Sequence, residues 1–361
     1  MRWRNRRISD PAFQRWAASF PLTRAIAAKK AASLFDVTAG FVYSQALAAA
    51  AQLDLFSLLK DGAMDLARIA QETKLQEASA LTLLRAGAAL GLFEEVSLKR
   101  FALGEGGAAL AGNPGVFAMI AHHGALYRDL ADPVRLLRER PKDTALSRYW
   151  RYPVADDRDG LTGEDVAAYS ALMAASQSFI AADVLDAYPF HHHRTLLDIG
   201  GGAGAFLAAA LERHDRLQGV LFDLPAVAGI ARDAFEKAGL GARIRITSGD
   251  FYQDSLPEGA DVATLVRVLH DHDDDKALVI LKAAYAALRP SGALIIAEPM
   301  AGAPGARAMG DAYFGLYLLA MGSGRPRTAR EIADLARMAG FRTAKLRRTR
   351  RPLLVSVLVA R

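Results

Sequence analysis

The sequence predicts an α/β chain: a largely parallel sheet in the C-terminal half, preceded by a helical N-terminal half. Three observations predict it. The apolar run Leu196-Leu197-Asp198-Ile199 passes directly into glycines at 200, 202 and 204, as a buried strand does at a tight turn before a helix. Gly219 to Asp223 and Ile244 to Phe251 repeat the pattern, each an apolar run ending on an acid. Upstream, residues 11–60 and 116–187 hold long, alanine-rich stretches with few breakers, which read as helices.

The chemistry sits at the strand ends. Glycine at 200, 202 and 204 lets a ligand approach the backbone, and the amides of a helix starting near Gly204 point at it. Asp223, with Leu224 beside it, is placed to take the two hydroxyls of a ribose. Gly249-Asp250-Phe251 offers an acid for an adenine amine and a ring to lie against the base. Three such units in succession describe a nucleoside site on a parallel sheet. Phe206 and Leu207 follow Gly204 directly, so the G-x-G-x-x-G spacing of dinucleotide sites is missing and S-adenosylmethionine is favoured.

These segments resemble the cofactor site of class I methyltransferases, in the order Asp198-x-Gly200-x-Gly202-x-Gly204, Phe222-Asp223-Leu224-Pro225 and Gly249-Asp250-Phe251. Leu269-His270-Asp271-His272-Asp273-Asp274 is similar to the L-H-D-W-x-D segment of plant-type small-molecule O-methyltransferases. Residues 39–45, His122-His123, residues 126–133 and Met321-Gly322-Ser323-Gly324-Arg325 look like a bacterial branch, the carotenoid O-methyltransferases. The resemblance covers nearly the whole chain. It implies a Rossmann-like seven-stranded sheet over 188–361. Residues 1–187 would be a helical dimerisation domain with a winged-helix-like module at about 65–103 and helices lining an acceptor pocket. It further implies S-adenosylmethionine as cofactor, a hydroxylated carotenoid as acceptor and a homodimer.

Composition narrows the setting. With 361 residues, 52% hydrophobic, the chain is long enough for a sizeable core and two domains. The absence of cysteine excludes disulfides and thiolate chemistry and fits a reducing, cytoplasmic compartment. No uninterrupted apolar run reaches the length of a membrane span. Residues 1–30 and 342–361 each carry a net +7, which leaves −8 for the remainder. Two basic ends on a chain with a lipid-soluble acceptor raise peripheral contact with an anionic membrane, here the inner photosynthetic membrane. Solvated ends are the plainer alternative.

In chain order, Ala39 to Leu53 is suited to close helix packing, in a dimer or in an ordinary core. Asp65 is placed to cap a helix carrying Leu66, Ile69 and Ala70. Leu81, Leu84 and Ala88 share one face of a second helix, and Phe93–Val96 with Phe101–Leu103 form a hairpin. That order also suits a DNA-binding regulator. The second helix offers Arg85 as its only base, too little for groove reading, so no nucleic-acid partner is expected. Tyr169, Met173 and Gln177 fall on one face of a helix expected over 163–187. His191-His192-His193 reads as a solvated linker before the first strand, since adjacent side chains on an extended segment converge poorly on one ion. No metal site is expected. Met309, Tyr313, Leu316, Tyr317 and Ala320 make an apolar face on a later helix, suited to closing a pocket. Thr328 caps a helix over Glu331–Met338, and the segments 343–349 and 353–360 close the sheet.

Methyl transfer to a hydroxyl needs alignment, which can supply about 7–11 kcal/mol, and removal of one proton. By the resemblance, His270 is the general base, Glu298 orients it, and Arg267 joins the cofactor site. Met309, Tyr313 and Tyr317 join Tyr169, Met173 and Gln177 around the acceptor. Two departures stand out: His272 replaces a tryptophan, and Pro326 stands where relatives carry a second acid. A phenolic or polyketide-like acceptor remains the alternative to a carotenoid.

Overall fold

The computed structural model describes residues 2–150, 172–173, 176–177 and 180–361. They form two compact units, Met1–Ala121 and His122–Arg361. Residues 122–150, which the sequence groups with the N-terminal half, pack in the second unit. Ala125, Leu126, Leu136 and Leu146 share a cluster there with Tyr317, Leu318 and Met321.

The first unit opens with the helices Arg2–Ile8, Pro11–Ser19 and Arg24–Gln52. Asp10 caps the second by accepting from the Ala12 amide, with Pro11 in its first turn. The third is long and apolar enough to cross a membrane, although Lys29, Lys30 and Asp36 break any uninterrupted apolar run. Its C-terminal end packs instead in the winged-helix core, through Ala50 beside Phe56, Leu59, Ile69 and Leu84. The three-stranded sheet of this module has the order β1 (Met64–Asp65), β3 (Arg100–Leu103), β2 (Phe93–Ser97). Asp65 occupies the cap position of the helix Leu66–Thr73, but its side chain makes no capping bond. That residue is already extended in β1, paired with Arg100.

The second unit is built on a seven-stranded sheet. Its strands are β4 (Thr195–Ile199), β5 (Gln218–Asp223), β6 (Ile244–Ser248), β7 (Ala260–Val266), β8 (Leu288–Glu298), β9 (Ala344–Arg347) and β10 (Ser356–Ala360). The order is β6-β5-β4-β7-β8-β10-β9, with β10 antiparallel to both its neighbours and the rest parallel. Near-continuous apolar strands are what a sheet covered on both faces requires. Alternate residues sort accordingly: Leu197, Ile199, Leu265 and Ile296 enter one core with the helices Asp274–Ala287 and Ala329–Met338. Leu196, Leu221, Val266 and Ile295 enter the other, with Ala205–Arg213 and Pro225–Lys237. The chain runs outward from β4 through β5 and β6, then returns to the other side of β4 at β7. That reversal is the topological switch point where open α/β sheets bind ligands.

Two expectations about element shape change. Pro290-Ser291-Gly292 has the composition of a turn ahead of a fifth strand, yet it lies inside β8, where the register against β7 shifts between Ala260 and Val262. The expected face at 309–320 is rotated, because Ala308–Tyr313 is a π-helical turn ahead of the helix Phe314–Met321. A wider turn shifts the phase of the helix after it, so Leu316 is exposed while Tyr317, Leu318, Ala320 and Met321 are buried. Thr328 and Glu331 form the capping box of the helix Ala329–Met338 as expected.

Between these last two helices, Arg327 is wholly buried. Its Nη1 and Nη2 donate to the carbonyls of Leu269 and His272 at 2.8 and 2.6 Å, and Nε donates to Asp274 at 2.8 Å. It closes the 3-10 turn Leu269–Asp271 after β7. Arg327→Ala should lower stability by about 3–5 kcal/mol, because buried acceptors lose a charged donor together. Urea unfolding that shows a loss below about 1 kcal/mol would mean that water replaces the guanidinium.

Candidate active site

The residues singled out at strand ends gather along one edge of the sheet, at the carboxyl ends of β4 to β8. At the end of β4, Gly200, Gly202 and Gly204 have φ of +67°, +60° and +79°, a region that L side chains rarely adopt. At Gly204 the close approach is decisive: an added Cβ would lie 2.1 Å from the Phe235 ring. Asp198, just before the turn, is buried and accepts from the Thr264 hydroxyl at 2.6 Å. Its other oxygen, Oδ2, has no hydrogen-bond partner among the described residues. Burial pushes its carboxyl up to about 7, helped by Asp223 and opposed by Thr264.

Asp223 ends β5 facing that turn. Its Oδ2 accepts the Gly202 amide at 2.7 Å and its Oδ1 the Leu224 amide at 2.8 Å. Burial raises it to about 6 against the pull of these two amides. One carboxylate thus sets the shape of the glycine turn and the start of the helix Pro225–Lys237.

Gly249, Asp250 and Phe251 follow β6. Asp250 is buried and accepts from the Tyr252 amide at 2.9 Å, and its own amide donates to Asp254 at 2.7 Å. The Phe251 ring stands 4.9 Å from Tyr252 and 5.5 Å from His272, edge-on to both. His272 Nδ1 lies 2.6 Å from the Tyr252 hydroxyl. The imidazole at the usual tryptophan position therefore ties the His270 turn to the aromatic wall after β6.

Arg267, directly after β7, has φ +58°, a left-handed conformation that costs a non-glycine residue about 1–3 kcal/mol. Its amide donates to Ala297 at 2.8 Å, and its Nη1 donates to Ser176 Oγ at 2.8 Å. Sequence reasoning missed Ser176, which carries no pattern of its own.

His270 is almost fully buried. Its Nε2 lies 3.0 Å from Asp271 Oδ1, and its Nδ1 lies 3.7 Å from Glu298 Oε2. Glu298 does not hydrogen-bond the ring, as the resemblance implied. Its Oε2 accepts the His270 backbone amide at 3.0 Å and so holds the turn, with the charge near the imidazole. Asp271, a residue that sequence reasoning left without a role, thus places a carboxylate beside Nε2. Burial disfavours the imidazolium, but Asp271 and Glu298 outweigh it, and His270 ends above its ordinary value. The arrangement suits a strengthened base: it favours the protonated form that proton abstraction creates.

The ring of Phe314 stands 5.6 Å from His270, and an aromatic cluster continues from it. Tyr313 and Tyr317 stack 5.5 Å apart. The Tyr317 hydroxyl lies 2.9 Å from His122 Nε2 and accepts from Trp150 Nε1 at 2.8 Å. The Tyr313 hydroxyl lies 2.6 Å from His123 Nε2, and burial holds that imidazole's pKa below its ordinary value. Met173 packs into the same cluster. Gln177 and Met309 are half-buried, with no contact that joins them to it, and Tyr169 lies outside the described residues. Of the histidine run, His191 and His192 are exposed, whereas His193 lies 2.8 Å from the Tyr188 hydroxyl. Among the described residues no group of three His, Asp or Glu side chains is placed to hold a metal.

The profile of the O-methyltransferase domain matches residues 127–342, and that of the O-methyltransferase dimerisation domain matches residues 35–110. Demethylspheroidene O-methyltransferase of Cereibacter sphaeroides is 39% identical over 96% of this chain and 91% of its own length. The enzyme of the same name from Rhodobacter capsulatus is also 39% identical, over 94% of this chain and 84% of its own. Among solved structures, human N-acetylserotonin methyltransferase in complex with SAM superposes with a TM-score of 0.76 at 25% identity, covering 92% of this chain and 97% of that one. On strand order, on the dimerisation module and on these matches, the chain belongs to the O-methyltransferase family.

Proposed function

We propose that this protein uses S-adenosylmethionine to methylate the C-1 tertiary hydroxyl of acyclic carotenoids, working as a homodimer. The observation that carries the reading is the 39% identity to demethylspheroidene O-methyltransferase over 96% of the chain. The described residues fit the cofactor. An unpartnered, buried carboxylate oxygen on Asp198 beside a left-handed glycine turn suits an ammonium group approaching the backbone. When bound, S-adenosylmethionine supplies a methyl group already activated on a sulfonium.

The chain's own groups do the rest. Asp223 keeps a lone pair on each oxygen for the ribose hydroxyls after accepting its two amides. Asp250 and Phe251 take the adenine, with Phe251 held by Tyr252 and His272. Arg267 retains guanidinium donors beyond Ser176 for the cofactor's carboxylate. Met173, Tyr313 and Tyr317 give the acceptor an apolar, aromatic wall. A tertiary aliphatic hydroxyl is far less acidic than a phenol, so its proton leaves as the carbon–oxygen bond forms. His270 would receive that proton. The strengthened basicity of His270 suits that acceptor. Because the acceptor is a bilayer-soluble polyene, peripheral membrane contact belongs to the same reading.

The reading is tested by incubating the protein with radiolabelled S-adenosylmethionine and a panel of 1-hydroxylated acyclic carotenoids and phenols. Label in the carotenoids supports it; label only in phenols rejects it. Asp223→Ala should weaken S-adenosylmethionine binding at least tenfold in calorimetry with the fold kept, and an unchanged affinity would remove Asp223 from the cofactor site. His270→Ala should keep that affinity and lower turnover about 10²–10⁴-fold, the usual worth of a positioned base. Because the base must be neutral and its pKa is raised, the wild-type rate should climb with pH through a limb above 6.5. In Asp271→Asn that limb should move to lower pH. A limb that does not move would show that Asp271 does not tune His270.

A further inference from the structure

From Arg2 to Leu47 no residue is buried, although the segment is helical almost throughout; the first buried side chain is that of Ala48. The first two helices are nevertheless joined to the third. Gln14 Nε2 donates to the Ile8 carbonyl at 2.8 Å, and the Thr23 hydroxyl donates to that of Ala17 at 2.8 Å. The surface so built combines rings and charge. Phe13, Trp16 and Phe20 run together, with centroids 5.6 and 5.0 Å apart, and the Arg7 guanidinium lies over both Trp3 and Phe13. Trp3, Trp16 and Leu22 are 74%, 50% and 80% exposed, and such side chains gathered on one surface mark an interaction site.

Two occupants compete for it, and charge decides between them. Residues 35–110 match the dimerisation domain, so exposed Phe35, Val37, Phe41 and Val42 fall where a second copy is expected. Residues 2–34 lie before that match. Residues 1–30 carry eight bases and one acid, and among the described residues no ion pair holds any of those bases. A second copy laid across this face would set +7 against +7. An anionic bilayer complements it, drawing in the arginines while Trp and Phe settle at the headgroup level. The basic C-terminal end is different, since Arg350 and Arg351 pair with Asp186 and Asp183 at 3.3 and 3.0 Å.

We propose that the helical segment 2–26 is a docking surface for an anionic lipid bilayer, with Trp3, Trp16 and Phe20 inserted at the interface and Arg2, Arg4, Arg6 and Arg7 against the headgroups. It rests on the proposed lipid-soluble acceptor only for its purpose; the binding itself is measured without any acceptor. The full-length protein is floated with vesicles of phosphatidylglycerol and phosphatidylcholine, or of phosphatidylcholine alone, at low and high salt. Recovery with the anionic vesicles only, weakened by salt, is expected. Neutralising the four arginines to Gln should lower partitioning about a thousandfold at low salt. Emission from Trp3 and Trp16 should shift to the blue with anionic vesicles, and W3F/W16F should abolish the shift, since Trp150 is buried. Light scattering should give the same oligomeric state for wild type and both variants. Equal recovery with both vesicle types, or an unmoved Trp emission, would overturn the proposal. Dissociation of the variants into monomers would assign the face to a second copy instead. A protein that binds vesicles but labels only phenols would leave the docking surface standing and remove the carotenoid reading.

Discussion

The arrangement of the active edge depends on a cation that has no water. Arg327 is fully buried and spends its guanidinium on the carbonyls of Leu269 and His272 and on the carboxylate of Asp274. A buried guanidinium is tolerated only where acceptors surround it, and here these acceptors are the backbone of the turn that carries His270. The neighbouring segment approaches just as closely. Gly324 leaves no room for a Cβ beside the His270 carbonyl, and the Arg325 amide donates to that carbonyl at 3.0 Å. With Glu298 accepting the His270 amide, the turn is gripped on both sides, and the imidazole has little freedom to swing. In the proposed role of His270, a base so held spares the reaction the entropy of finding it.

The same grip has an electrostatic result. Two carboxylates near one buried imidazole make it a better proton acceptor than a lone buried histidine, whose burial alone would weaken it. Asp271, the next residue along, stands 3.0 Å from Nε2, while Pro326 brings no charge to the imidazole. The acids on the cofactor side have the opposite problem. Asp198 and Asp223 are raised by burial, to about 7 and about 6, and a cationic ligand with hydroxyl donors relieves both. In the proposed function, binding and basicity thus rest on separate groups of carboxylates at neighbouring strand ends.

The two units spend apolar surface differently. In the second unit the sheet is covered on both faces, and its strands are apolar almost throughout. In the first, the winged-helix core closes on itself, and the leading helices present aromatic and aliphatic side chains outward. Such a surface marks a site of interaction, and the residues themselves divide between an apolar stretch after 35 and a basic, aromatic one before it.

The sequence by itself determined the parallel sheet and the glycines and acids along its carboxyl edge, because those features are local. A buried strand must be apolar, a tight turn needs glycine at 200, 202 and 204, and an acid at the end of β5 or β6 is read from one segment at a time. The capping box at Thr328 and Glu331 is local in the same way. Only the tertiary structure decided what depends on residues far apart in the chain. Ser176 meets Arg267 across 91 positions and Arg327 meets Leu269 across 58, contacts that no periodicity announces. Asp65 lost its capping bond to strand pairing, and a π-turn rotated Leu316 out of the face expected for it. The partner of Nε2 had the same origin. Asp271 was visible beside His270 all along, but whether neighbouring side chains face each other is decided by the turn, and the turn is shaped by a guanidinium more than fifty residues away.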